Sequence, residues 1–220
     1  MLRSARNDVI IQCKSMSIST KRFSRQFYSQ SSTIVAPKLL GAYLHHIVDG
    51  IELTGKIVET EAYASYDEAS HAFRGKTPRN AVMFGDGGFS YIYFTYGMHH
   101  CFNITTNEVG LAEAVLIRAV EPISGIEKMR LLRQKATIDR DLTNGPGKLC
   151  QAFALTRKEN GIDLIESDQL FVTQSAPIRA NLIGISSRIG INVAQEYPWR
   201  FFIKDNEYVS RAKPSKIGEG

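Results

Sequence analysis

The stretch Lys56-Ile-Val-Glu-Thr-Glu-Ala-Tyr63 places two carboxylates and a phenol at alternating positions. In an extended strand that alternation puts Glu59, Glu61 and Tyr63 on one face. Two carboxylates and a ring make a poor core surface. They suit a water-filled pocket, where a carboxylate can take a proton from water or steady a developing cation. They equally suit an exposed strand face, and the alternation does not choose between Glu59 and Glu61.

A second stretch, Phe89 to Asn103, is dense in rings. Tyr91 and Tyr93 share a strand face, and Tyr96 stands beside Gly97, where the chain must reverse. A ring at a hairpin tip is exposed unless something covers it. In a DNA-binding protein it can wedge into the base stack and fill the gap left by a flipped nucleotide. By composition alone these tyrosines fit half-buried strand positions with satisfied hydroxyls just as well. His99 and His100 read as surface imidazoles. Asn144-Gly-Pro-Gly-Lys148 offers a lysine and backbone N–H groups at a helix start, which could hold a phosphate. A tight turn is the favoured reading, and the string is not a Walker motif. Gly85-Asp-Gly-Gly88 reads as a turn.

These residues need elements to hold them. Thr33 to Leu40 predicts a short helix with Pro37 tolerated near its start and Gly41 as its stop. Ala42–Ile47 and Ile51–Tyr63 flank Asp49-Gly50, a strong hairpin signal. Residues 64–90 read as a long loop, of a length usually tied to function or disorder. Strands are predicted at Tyr91–Phe94, Cys101–Thr105 and Ala114–Ala119. A helix follows at Ile126–Gln134 and another near Lys148–Leu155. Late strands are predicted at Gln169–Thr173, Arg200–Ile203 and Tyr208–Ser210. The sum is an α+β fold: a single domain with a curved, mostly antiparallel, hairpin-rich β-sheet flanked by short helices.

The 220-residue chain suits one domain, and no apolar run is long enough to span a bilayer. Its net charge of +5 is concentrated at one end. Residues 1–25 carry Arg3, Arg6, Lys14, Lys21, Arg22 and Arg25 against Asp8 alone, which leaves 21 basic and 21 acidic side chains beyond them. Bulk charge therefore gives the body no case for nucleic-acid binding, which must rest on local patches. Cys13, Cys101 and Cys150 are odd in number and lack metal-ligand spacing, so they read as reduced thiols of a cytoplasmic protein. His45, His46, His71, His99 and His100 form no HExxH pattern, and nothing implies a metal or another cofactor. The Arg/Ser-rich first 20 or so residues fit a targeting segment, but Asp8 and the weak periodicity favour a disordered extension or a start nearer Met16.

Taken together, the strings resemble one family. Ile57-Val-Glu-Thr-Glu-Ala-Tyr63, Asp67-Glu-Ala-Ser-His71, Thr77-Pro-Arg-Asn80, Met83-Phe-Gly85, Tyr91-Ile-Tyr-Phe-Thr-Tyr-Gly-Met98, Val115-Leu-Ile-Arg-Ala-Val-Glu-Pro122 and Gly145-Pro-Gly-Lys-Leu149 occur in the order and spacing of the alkyladenine (3-methyladenine) DNA glycosylases, the class without a helix-hairpin-helix motif. Arg188-Ile-Gly190 and Pro198-Trp-Arg-Phe201 are similar too. The likeness runs from about Phe23 to Val209. It implies a glycosylase domain over 23–211, an extension over 1–22 and a flexible tail over 212–220. One departure stands out: the loop between Tyr63 and His71 is a residue shorter than the family pattern, which bears on where His71 sits.

Residue by residue, the resemblance implies Glu61 as the general base and Arg118 as its partner in holding the attacking water. It implies Tyr63, His71 and Tyr93 as walls of a base pocket, with Leu116 nearby and Asn103 placed to clash with a guanine 2-amino group. Tyr96 would be the intercalating wedge, and Met98 would lie near the DNA backbone, with Lys148 best explained as a phosphate contact. The implied partner is double-stranded DNA carrying damaged purines, met by a monomer. The implied reaction flips an alkylated or deaminated purine out of the duplex and hydrolyses its N-glycosidic bond. Candidate lesions are 3-methyladenine, 7-methylguanine, hypoxanthine and ethenoadenine. No motif lysine stands as a Schiff-base nucleophile, which implies a monofunctional enzyme. The alternatives are a catalytically weak damage-binding protein of the same fold and a nucleic-acid-binding hairpin module without a pocket.

Overall fold

The computed structural model describes residues 19–95 and 97–214. Two short helices, α1 (Arg25–Tyr28) and α2 (Ser32–Lys38), lead into the strands. The Ser24 hydroxyl accepts the Phe27 N–H and caps α1. Pro37 falls in the last turn of α2 rather than near its start. It is tolerated there because the helix ends one residue later, and Gly41 at φ +88° turns the chain away. The expected hairpin is present: β1 (Tyr43–Val48) pairs with β2 (Ile51–Tyr63) across Asp49 and Gly50. Both turn residues have positive φ, 51° and 76°, as a two-residue hairpin turn that follows the strand twist requires.

The remaining strands are β3 (Ser90–Thr95), β4 (His99–Thr106), β5 (Glu113–Ser124), β6 (Leu170–Thr173), β7 (Ile183–Ser186) and β8 (Arg200–Ile203). They form one antiparallel sheet in the order β3-β4-β5-β2-β1-β6. At the far end of the long β2, β8 takes the edge that β1 leaves, and β7 pairs with β8. β5 runs well beyond the expected Ala119. Pro122 within it faces Gly55 at a register shift, where a missing N–H is tolerated. β7 has no counterpart among the predicted strands, and Tyr208–Ser210 forms a turn and a bend instead of a strand.

Two irregularities in the β2–β5 pairing shape the site. Ile57 faces Val120, Glu59 faces Ala119 and Thr60 faces Ile117. Val58 on one strand and Arg118 on the other are therefore left without a partner. Such bulges bend a strand and increase its twist, which curls the sheet around the Glu59–Glu61 segment.

The core lies on one face of the sheet. Leu44, Leu53, Ile57, Phe102, Ile104 and Ile117 pack there against α2 and against two of the later helices, α3 (Ile126–Leu132) and α5 (Pro146–Ala152). α4 (Arg140–Thr143) lies between those two in sequence. A smaller cluster of Ala72, Met83, Tyr91, Ala112 and Ala114 is separate from that core. Arg22 belongs to the folded body: it bridges to Thr173, and its guanidinium lies 4.4 Å from the Phe171 ring centroid. The body thus begins ahead of Phe23. The N-terminal extension up to residue 18, with Cys13, and the end of the tail lie outside the described residues. Cys101 and Cys150 are both buried free thiols.

Candidate active site

One rung of the sheet carries much of the site. Tyr91 faces Asn103, Asn103 faces Leu116, Leu116 faces Glu61 and Glu61 faces Arg200. Residues opposite one another on neighbouring strands share a face. This face bounds a cavity of about 340 Å³, large enough for a purine, whose wall includes Tyr63, His71, Tyr93, Asn103, Leu116 and Arg118. Tyr91, Cys101 and Ala114 add to the strand side, Met83 joins from the segment between β2 and β3, and Ile189, Gly190 and Ile191 close it from a late loop.

Glu59 and Glu61 do share a face, as alternation predicts, and both are fully buried. Their partners separate them. The Glu59 carboxylate accepts from Arg118 Nε at 3.2 Å, from Arg200 Nε at 2.7 Å, and from the Ser210 N–H and hydroxyl at 2.7 and 2.8 Å. It is the anchor of two strands and the C-terminal segment. Glu61 accepts instead from three groups that belong to the cavity wall. Oε2 takes Tyr63 Oη at 2.9 Å and Arg118 Nη1 at 3.2 Å, and Oε1 takes the Ile189 N–H at 2.8 Å. A carboxylate has about four acceptor sites, and these bonds from the described residues occupy two on Oε2 and one on Oε1. Burial opposes the charge on Arg118, but Glu61 and then Glu59 outweigh it and raise its pKa. Burial and the neighbouring Glu61 push the Tyr63 phenol up as well, so it remains a donor.

The opposite wall is aromatic. The His71 ring meets Tyr93 edge-on at 4.4 Å and bonds through Nδ1 to the Tyr91 hydroxyl at 2.9 Å. Its loop is held by Asn80, whose amide donates to the His71 and Gly75 carbonyls. The shorter loop therefore still brings His71 to the cavity. Partial burial of the ring, and then the Arg79 charge, lower the His71 pKa and favour neutral imidazole at neutral pH. Asn103 donates its amide to the Tyr91 carbonyl at 3.0 Å, which fixes it in the wall.

Arg188, which does not line the cavity, braces it from behind. It is fully buried, forms two bonds to the equally buried Asp67, and donates to the Ala62 and Ala194 carbonyls. Its guanidinium lies 4.6 Å from the Tyr63 ring centroid and 5.2 Å from that of Trp199. The next residue, Ile189, supplies the N–H on Glu61.

The structure thus gathers Arg118, Tyr63, His71, Tyr93, Asn103 and Leu116 around one cavity, with Glu61 buried against three lining residues, Tyr63, Arg118 and Ile189. Met98 and Lys148 stand outside it. Met98 is 65% exposed on the β3–β4 hairpin, and Lys148 on α5 donates to Asn144 Oδ1 at 2.7 Å. Tyr96 lies outside the described residues. Sequence reasoning assigned no role to Glu59, Tyr91, Asp67, Arg188 or Arg200. The strings containing Asp67, Arg188 and Arg200 carried the signal, but only contact shows what the residues hold. Among the described residues no group of His, Cys, Asp or Glu could hold a metal ion, and no helix is long and apolar enough to cross a membrane.

The curled antiparallel sheet thus carries a purine-sized, ring-lined cavity with Arg118 in its wall and the Glu61 carboxylate bonded to that guanidinium. The chain matches the methylpurine-DNA glycosylase family over residues 26–207. Relatives named "Putative 3-methyladenine DNA glycosylase" include one from Carboxydothermus hydrogenoformans, 50% identical over 85% of this chain and 97% of its own length. Others come from Desulfitobacterium hafniense, 45% identical over 86% and 98%, and Clostridium perfringens, 42% identical over 86% and 99%. The chain belongs to the methylpurine-DNA glycosylase family.

Proposed function

We propose that this protein is a DNA glycosylase of base-excision repair that flips a damaged purine into the 340 Å³ cavity and hydrolyses its N-glycosidic bond. The observation that carries the reading is Glu61, tied to Arg118 at 3.2 Å and bonded also to Tyr63 and Ile189, all three of which line the cavity. Water bound at Oε1 gives up a proton to Glu61 as it attacks C1′ of the sugar. The same carboxylate steadies the oxocarbenium character that develops as the base departs. The logic parallels the general-base carboxylate of inverting glycosidases. Arg118, kept charged by both carboxylates, orients that water and holds Glu61 in place.

Tyr63, His71 and Tyr93 enclose the flipped base, and Asn103 stands against a guanine 2-amino group. Tyr96 fills the gap left in the duplex, while Met98 and Lys148 touch the DNA backbone. Flipping costs a few kcal/mol and is cheapest at damaged or mispaired bases, so selection begins before the base reaches the cavity. The lesions we assign are 3-methyladenine, 7-methylguanine, hypoxanthine and ethenoadenine. Among the described residues no lysine lines the cavity wall, which supports a monofunctional enzyme that leaves an abasic site; we assign it as a monomer.

Incubation with duplexes carrying each lesion, followed by chromatography of free base, tests the reading. Release of at least one base from an intact strand is expected. Binding without release would favour a damage-binding protein, and a borohydride-trapped covalent adduct would overturn the monofunctional assignment. Tyr96→Ala should weaken binding to damaged duplex more than to intact duplex; equal loss on both contradicts the wedge.

A further inference from the structure

We infer that Arg79 is a specificity-determining residue that biases the cavity toward neutral damaged purines over cationic ones. The inference rests on the glycosylase reading above and names the substrate class that the aromatic wall prefers. Tyrosine faces attract cations, and a purine methylated at N3 or N7 carries a positive charge, so a bare tyrosine wall would favour the charged lesions. Here two of the rings already carry a guanidinium. Arg188 lies over Tyr63 at 4.6 Å and Arg79 over Tyr93 at 5.2 Å, and neither arginine lines the cavity itself.

The two cations differ in compensation. Arg188 is matched by the buried Asp67 carboxylate. Arg79 has no carboxylate within ion-pair distance among the described residues, and it donates to the Phe94 carbonyl at 3.2 Å. Its charge reaches two other rings of the wall: it opposes protonation of His71 and favours ionisation of the Tyr91 phenol. A cationic base stacked on the cavity side of Tyr93 would sit about 9 Å from this charge, close enough for an appreciable repulsion in a partly desolvated site. A neutral base such as hypoxanthine feels no such charge–charge term and keeps the full stacking contact. Because Arg79 is exposed, solvent screening reduces the discrimination to roughly threefold to tenfold.

The test compares single-turnover release of 3-methyladenine from methylated duplex with release of hypoxanthine from a defined duplex, for wild type, Arg79→Gln and Arg79→Lys. Spontaneous depurination is subtracted. Wild type is expected to release both bases. Arg79→Gln should raise the 3-methyladenine to hypoxanthine ratio by about threefold or more. Arg79→Lys should stay near wild type, because it restores the charge. An unchanged ratio in Arg79→Gln, or equal loss on both lesions as a simple phosphate contact would give, overturns the inference. So does a wild type that releases 3-methyladenine alone. Release of neither base by wild type refutes the glycosylase reading instead.

Discussion

Replacing Asp67 by alanine should reach the active site without touching the cavity wall. Asp67 and Arg188 are both fully buried, and the pair joins the loop after β2 to the late loop that presents Ile189. Removing the carboxylate leaves the Arg188 charge buried, with the Ala62 and Ala194 carbonyls as its remaining acceptors. Breaking a buried pair in this way costs about 3–5 kcal/mol. For a domain of this size each kcal/mol lowers the unfolding midpoint by roughly 2–4 °C, so Asp67→Ala should unfold about 6–20 °C below wild type. Circular dichroism melts measure that directly. At a temperature where the variant stays folded, base release should also fall, because the Ile189 N–H is no longer held on Glu61. Replacing both partners, as Asp67→Leu with Arg188→Met, should recover much of the lost stability. A single-variant midpoint within about 3 °C of wild type, or no recovery in the double variant, would refute the clamp.

Three further outcomes follow from the same contacts. Glu59→Gln weakens bonds to Arg118, Arg200 and Ser210 at once, and should lower stability by about 2–4 kcal/mol in urea denaturation; an unaffected midpoint contradicts its anchoring role. Burial lowers the pKa of both His45 and His71 below the ordinary 6.5, with Glu52 opposing the shift at His45 and Arg79 reinforcing it at His71. The unfolded chain then takes up protons before the native one, so stability is full above pH 6.5 and declines as pH falls below it. Melts at pH 7.5 and 5.5 should show that decline, flattened in a His45→Asn, His71→Asn double variant, and an identical slope in that variant speaks against it. Gly125 holds φ at +73°, and a Cβ there would lie 2.7 Å from the Glu52 carbonyl oxygen, so Gly125→Ala should cost more than about 1 kcal/mol in the same denaturation assay.

What could be read from the sequence divides along physical lines. The Asp49-Gly50 hairpin and the Tyr91–Tyr93 strand were legible because turn chemistry and β-branched or aromatic content are local. The shared face of Glu59 and Glu61 was legible from alternation alone. What distinguishes the two was not, because it lies in partners 57 to 151 residues away: Arg118, Ile189, Arg200 and Ser210. The same holds for β7, a four-residue strand with an alternation too short to stand out, fixed by pairing to β8. The two bulges that leave Val58 and Arg118 unopposed have no sequence signature either, since they arise from matching two long strands rather than from either one. Family likeness supplied Glu61 and Arg118; the geometry supplied what Glu59, Asp67 and Arg188 do.

The central claim is that Glu61, and not Glu59, activates the water. Single-turnover release of hypoxanthine or 3-methyladenine by Glu61→Gln, with folding checked by circular dichroism, tests it most directly. A loss of about 10²-fold or more with the fold retained is expected, in line with general-base contributions. A folded Glu61→Gln protein that releases base at the wild-type rate would contradict it.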